Sequence, residues 1–344
     1  VNPSIEACRR WVRAAEAGRV GEFITRPPGF DERTRGNLEP VEPDTGRRHA
    51  ARGVCRNERH GFGMERNSEM TGTGKNIRMG RLFGEGGKAV VVACDHGMFD
   101  GPHAGMEDIP AMLDRLGDGP DAILLSPGML PRCADYFGRR SAPMAITRLN
   151  FNSVFCFQWG YRESVITNLY QPEDAAANGA DAVLVCLTLK TGSEAVDARN
   201  AEIFADLCLK AHRLGLPVMG EYFPHSHLTK EPEAFHEEIL IGCRMLAELG
   251  VDCIKTFHTR QFPRITGTCP VPILGLGAEK TPTDLDALAL AEKEIRDGAG
   301  GVVFGRNAVQ ASDPRAFVAA LQDVVKRGAT AADACAKHGL NAES

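Results

Sequence analysis

The apolar run Val251-Asp252-Cys253-Ile254 leads into Lys255-Thr256-Phe257-His258, and a lysine delivered by a buried strand can do chemistry that a surface lysine cannot. An amine with a pKa near 10.4 is neutral in only about one molecule in a few thousand at pH 7. Burial disfavours the charged form, so a desolvated Lys255 is expected to have a lowered pKa and to present a neutral nucleophile. Such an amine attacks a ketone, and the resulting iminium withdraws electrons from the adjacent carbon–carbon bond. Cleavage of that bond then needs a base for a substrate hydroxyl. Asp95, in Asp95-His96-Gly97 after another apolar run, and Tyr222, in Glu221-Tyr222-Phe223-Pro224, are the candidates. Read singly, a lysine is a solvated charge and a carboxylate at a strand end caps the next turn. Their company gives them weight.

Two glycine turns supply that company. Gly275-Leu276-Gly277-Ala278-Glu279-Lys280 and Gly305-Arg306-Asn307 each accompany an apolar run, and they read as a phosphate cradle. Gly277 and Gly305 permit close backbone approach to an anion, while Arg306 and Lys280 add charge. Lys190 and Lys280 compete with Lys255 for the nucleophile's role. Lys280 suits phosphate better, and Lys190 lies three residues beyond the end of its apolar run. His96 and His258 lack a clear third ligand, so neither a metal nor any other cofactor is expected. The 11 cysteines are scattered singly, with no C-x-x-C pair, and read as reduced core thiols.

These groups must be carried to one face, and the patterning shows how. Apolar runs at 89–94, 121–125, 144–149, 182–187, 218–221, 251–255, 271–274 and 301–304 alternate with helical patterns at 106–116, 172–178, 193–214, 232–249, 284–297 and 314–326. A helix and turn over 75–87 precedes the first strand and is expected to close the bottom of the barrel. Continuous apolar strands are those covered on both faces, as in parallel sheets wrapped by helices. Eight such strands over about 250 residues predict an α/β chain forming a (β/α)8 TIM barrel, whose catalytic groups sit at the C-terminal strand ends. An open doubly wound sheet would show a glycine-rich fingerprint after strand one, and Asp95-His96-Gly97 is not one. The segment 150–170, rich in Phe and holding Trp159, is long for a connection between strand and helix and is expected to shape a pocket.

Residues 1–70 differ in texture. They contain many arginines, no lysine, and the breaks Arg26-Pro27-Pro28-Gly29 and Glu39-Pro40-Val41-Glu42-Pro43. Only 5–20 has the spacing of a short amphipathic helix. The expectation is a low-order, dispensable extension before a barrel domain at 71–344, with Met64, Met70 or Met79 as an alternative start of translation. Composition is that of a globular enzyme, at 43% hydrophobic and 25% charged residues. A net charge of -5 gives no basic footprint for nucleic acid. No apolar run is long enough to span a membrane and no secretory signal is evident, which makes the cytoplasm the expected address.

The ordered set of Lys75 to Phe83, Asp95-His96-Gly97 with Gly101-Pro102, Asn178-Gly179-Ala180-Asp181-Ala182-Val183, Lys255 and Gly305-Arg306-Asn307 resembles the archaeal-type class I fructose-bisphosphate aldolases and their relatives. The resemblance runs from about Gly74 to Lys326. It implies a TIM barrel, a Schiff base at Lys255, a catalytic Asp95, phosphate held near Gly277, Gly305 and Arg306, and a homo-oligomer. The implied reaction makes or cleaves a carbon–carbon bond in a phosphorylated ketose such as fructose 1,6-bisphosphate. Two departures stand out. The family's Tyr-Pro-Arg-Gly after strand five is here Tyr222-Phe223-Pro224-His225, so that proline alignment puts Phe223 at the tyrosine's place and leaves Tyr222, Glu221 or His225 as substitutes. The paired glycines after strand seven are here Gly277-Ala278. Lys255-Thr256-Phe257-His258 with Cys269-Pro270-Val271-Pro272-Ile273 is also similar to the thiolase of phosphorylated autoinducer-2, which implies coenzyme A-dependent acyl transfer as the alternative. A heptulosonate synthase of transaldol type is a further relative.

Overall fold

A computed structural model of the chain describes residues 72–225 and 231–343. The extension 1–70 and the helix expected at 5–20 lie outside the described residues. The apolar runs become eight parallel strands closed into one barrel: β1 (Ala89–Ala93), β2 (Ala122–Leu125), β3 (Met144–Arg148), β4 (Ala182–Leu187), β5 (Val218–Tyr222), β6 (Cys253–Phe257), β7 (Ile273–Leu276) and β8 (Gly301–Phe304). Going round the barrel the order is β1, β8, β7, β6, β5, β4, β3, β2, so every strand pairs with its neighbours in sequence and β1 closes onto β8.

Side chains alternate along each strand between two cores. Val91, Met144, Ile146, Met219, Cys253, Leu274 and Val303 fill the barrel, while Val90, Ile123, Val183, Val218, Ile254 and Val302 pack under the helices. Because both faces are buried, both are apolar. The helix Thr73–Phe83 contributes Leu82 to the inner core, which fits its expected place at the bottom.

Several of the helices begin at a side-chain cap. Asp108, Ser193, Thr283 and Asp313 each accept a hydrogen bond from a backbone N–H in the first turn that follows. Gly328, in the left-handed conformation, ends the helix Pro314–Arg327. Another short helix, Ala331–Lys337, follows it and buries Ala331, Ala334 and Cys335, so the helix expected at 314–326 is not the last. The seventh strand lies at Ile273–Leu276, two residues later than expected, since Pro272 has no N–H to give to a ladder. Within the long connection, Asn150–Asn152 pairs antiparallel with Ile166–Asn168 as a small ribbon above β3. The nine described cysteines are all free and eight are buried, in keeping with core thiols.

Candidate active site

Toward the C-terminal ends of the strands the inward-facing positions change from apolar to ionic. In β5 the inward series runs Met219, Glu221; in β6 it runs Cys253, Lys255; in β3 it runs Met144, Ile146, Arg148. Asp95 continues the inward series of β1 just past its end. Arg148 Nε donates to Asp95 Oδ2 and Arg148 Nη2 to Glu221 Oε2, both at 2.6 Å. Lys255 Nζ stands 2.5 Å from Glu221 Oε1. The four residues are between 2% and 8% exposed, so the two positive and two negative charges hold one another in place of water. The Lys255 amine therefore meets a carboxylate and not the apolar lining expected from its strand.

Electrostatics follows the geometry. Burial alone would raise the Asp95 carboxyl, but Arg148, with Lys255 and His96 behind it, holds it well below the usual carboxylate range. Glu221 is likewise pushed up by burial and brought below its ordinary value by Arg148 and Lys255. His96 is lowered to about 4, burial outweighing the opposing pull of Asp95, and its ring is neutral at pH 7. Its Nδ1 lies 4.0 Å from Asp95 Oδ1 and has no hydrogen-bond partner.

This network forms the floor of a cavity of about 470 Å³ that Gly277, Ala278, Gly305 and Arg306 line on one side. Asn307, fully buried, ties the two turns together by donating from Nδ2 to Gly277 O at 2.8 Å and Glu279 O at 3.0 Å. Arg306 Nη2 donates to Ala278 O at 2.9 Å, and its buried Nε has no partner. Position 305 must be glycine, since a Cβ there would meet His96 Cε1 at 2.3 Å. Ala278, where the resembled family has glycine, adopts a left-handed φ of 49°.

Lys255, Asp95, Gly277, Gly305 and Arg306 thus share one cavity, and two expected residues do not join them. Tyr222 follows Glu221 by one position and so faces the opposite side of the sheet. Its ring packs among the outer core against Gly242, and its hydroxyl is 3.4 Å from Glu238 Oε1. Lys280 lies outside the lining and pairs with Asp284 at 3.4 Å. Lys190 is also absent from the cavity; it is exposed, and its backbone N–H donates to Asp197. His258 is hydrogen-bonded to Asp297 Oδ2 at 2.8 Å, apart from His96. His225 is turned to Ser164 Oγ at 3.1 Å. Among the described residues no group of three or more His, Cys, Asp or Glu is arranged to hold a metal ion. None of their helices is long and apolar enough to cross a membrane. The residue that the sequence did not single out is Arg148, whose only signal was a charge inside the third apolar run.

With a TIM barrel and a lysine in its mouth established, the class is clear: the chain belongs to the DeoC/LacD family of aldolases, whose model matches residues 89–311. It is 32% identical to an uncharacterized aldolase of Saccharolobus solfataricus over 269 residues, covering 76% of this chain and 97% of that one. The 3-hydroxy-5-phosphonooxypentane-2,4-dione thiolase of Escherichia coli is 29% identical over 260 residues, 75% of this chain and 84% of the relative. Among solved structures, an archaeal fructose-1,6-bisphosphate aldolase with its catalytic lysine covalently bound to the carbinolamine intermediate is 25% identical, with a TM-score of 0.63 over 73% of this chain and 99% of that one.

Proposed function

We propose that the protein is a class I aldolase that holds a phosphorylated ketone as a Schiff base on Lys255 and makes or breaks the carbon–carbon bond beside the imine carbon. The observation that carries this reading is the contact of Lys255 Nζ with Glu221 Oε1 at 2.5 Å, in a cavity whose neighbouring turns suit a phosphate. Glu221 takes a proton from the ammonium, and the neutral amine adds to the ketone carbonyl. The carbinolamine loses water with a proton returned from Glu221, giving the iminium.

Asp95 uses Oδ2 for Arg148, which leaves Oδ1 to accept the proton of the substrate hydroxyl. As that proton leaves, the carbon–carbon bond breaks, its electron pair passes to the iminium, and an aldehyde departs. Protonation of the enamine carbon and hydrolysis of the imine then free the lysine. Tyr222 has no part in this scheme, and Glu221 takes over the proton carriage expected of it. The phosphate lies on the backbone of the turns at Gly277 and Gly305 with Arg306 beside it.

Borohydride treatment with dihydroxyacetone phosphate should add the reduced adduct to the peptide bearing Lys255, and Lys255→Met should lose both labelling and turnover. Labelling at Lys190 or Lys280, or full activity of Lys255→Met, overturns the reading. The similarity to the Escherichia coli thiolase favours a second reading, acyl transfer from a phosphorylated hydroxy-dione to coenzyme A at the same lysine. Product that forms only when coenzyme A is present selects it.

A further inference from the structure

His96 lies between the two working parts of the cavity, and the scheme above gives it no task. Its ring belongs to the loop that follows β1, lines the cavity, and covers the turn after β8 with one edge. The edge atoms Cε1 and Nε2 stand 2.3 Å and 3.0 Å from the place where a Cβ on Gly305 would be, so the missing side chain at 305 is what admits the ring. The opposite nitrogen, Nδ1, is buried, has no hydrogen-bond partner and faces Asp95 Oδ1 at 4.0 Å. One nitrogen thus borders the anion turn, and the other borders the catalytic carboxylate.

A neutral imidazole cannot serve both sides, because it carries one N–H and one lone pair. With the hydrogen on Nε2, the Nδ1 lone pair is turned to the Asp95 carboxylate. With the hydrogen on Nδ1, the Nε2 lone pair is turned to the anion that the turn holds. Either arrangement sets a lone pair against negative charge where little water remains to soften the contact. The imidazolium has a donor for each side. In the free protein the ring stays neutral at pH 7, because burial, with Lys255, Arg306 and His103, outweighs Asp95. The His103 ring lies edge-on at 5.6 Å, and its Nε2 is 3.2 Å from Asp100 Oδ2, which engages that carboxylate oxygen. A phosphate on the turn reverses the balance. One opposite charge within about 4–6 Å moves a pKa by about 1 to 3, and a phosphate monoester carries nearly two charges above its second pKa of about 6.

Resting on the phosphate cradle of the proposed function, we infer that His96 is a ligand of the substrate phosphate and takes up a proton from solvent as the phosphate binds. Nε2–H donates to a phosphate oxygen. Nδ1–H points at Asp95 Oδ1, which a closure of about 1 Å brings within hydrogen-bond distance. The only bond formed in this step is the new N–H. Phosphate and base are joined through one ring, and an occupied turn holds the free oxygen of Asp95 in place for the substrate hydroxyl. A substrate without phosphate leaves the ring neutral and that oxygen unheld.

The test uses glycerol 3-phosphate, which has the phosphate but no ketone, so the chemistry of Lys255 plays no part. Calorimetry at pH 7 in buffers of different ionisation enthalpy should show uptake of about half to one proton for each molecule bound, and affinity should fall by up to about tenfold for each further step of one in pH. Inorganic sulfate, a dianion that does not titrate in this range, should produce the same uptake and so assign the proton to the protein. Nitrogen NMR of labelled histidine at pH 7 should show one ring pass from neutral to protonated on saturation, the ring whose signal is missing from His96→Gln. That variant keeps a donor near Nε2 but cannot take a charge. It should lose the uptake and bind glycerol 3-phosphate about tenfold or more weakly, with His96→Asn as the second variant if the first does not fold. Binding by the unmodified protein without proton uptake, or uptake that persists in the variant, overturns the inference and leaves the Schiff-base reading standing. Absence of binding overturns it together with the phosphate cradle. Failure to trap an adduct on Lys255, beside proton uptake on His96, removes the Schiff base and leaves His96 as the phosphate's ligand.

Discussion

Glu221 and Lys255 are register partners on adjacent strands, and their side chains meet at 2.5 Å inside the barrel. Parallel strands set such partners side by side on one face, so the carboxylate that can receive the lysine's proton is built into the sheet. Arg148 fixes the other Glu221 oxygen and links the pair to Asp95.

Glu221→Gln keeps the shape of the side chain and removes the proton acceptor. Turnover should fall by about 10²- to 10⁴-fold, the usual worth of a positioned general base. Single-turnover trapping with borohydride should show slower formation of the Lys255 adduct, while binding of an unreactive phosphorylated analogue stays close to that of the parent protein. An unchanged trapping rate would falsify the role given to Glu221.

Arg148→Met leaves Asp95 and Glu221 buried with Lys255 as their remaining partner. Loss of one partner from a buried ionic group costs about 3–5 kcal/mol, which should appear as a lower midpoint in chemical denaturation. The pH dependence has a definite sign. Both carboxyls are depressed in the folded protein, so their contribution is present above the ordinary carboxylate range and is lost as pH falls through the depressed values. Without Arg148 both should move up, and the acid limb of kcat/KM should shift to higher pH. An unmoved acid limb would show that neither carboxyl governs it.

Arg306→Ala should weaken phosphorylated substrates by about 1.5–3 kcal/mol, the range for hydrogen bonds to charged groups. Unphosphorylated analogues should change little. The Arg306 Nε, buried and without a partner, is the group expected to meet the anion. KM values for a substrate with and without its phosphate check this, and parallel losses would take Arg306 out of the phosphate site.

Glu294→Met should stabilise the protein, and increasingly so as pH rises. Glu294 reaches from the helix Asp284–Arg296 to the place where a Gly275 side chain would stand, with both carboxyl oxygens buried and unpartnered. Burial raises its pKa well above the ordinary value. Stability is therefore full below the ordinary glutamate pKa of about 4.3 and is lost as pH rises toward the folded value. Thermal melts at pH 5 and pH 8 should show the larger gain for the variant at pH 8. A gain independent of pH would mean that Glu294 does not titrate in this way.

How much of this was legible in the chain differs from element to element. The eight apolar runs, the glycines at the turns and the helical patterns between the runs are local signals, and the barrel followed from their alternation. Lys255, Asp95 and Arg306 were legible because each sits at or just beyond the end of an apolar run, and a barrel brings all such ends to one face. Which of two adjacent residues faces inward was not legible. In a half-exposed strand, apolar and polar residues alternate and mark the faces; here both faces are buried, so Val218 and Met219 carry no mark of side. Tyr222 was expected in the site for want of that mark, and one step along the strand put Glu221 there in its place. The sequence by itself determined the barrel, the place of the lysine and the two glycine turns, since each is fixed by local composition and strand order. Only the tertiary structure decided the partners, because the Arg148 link from Asp95 to Glu221 joins residues 53 and 73 positions apart, and no local pattern specifies which strand faces meet across a closed sheet.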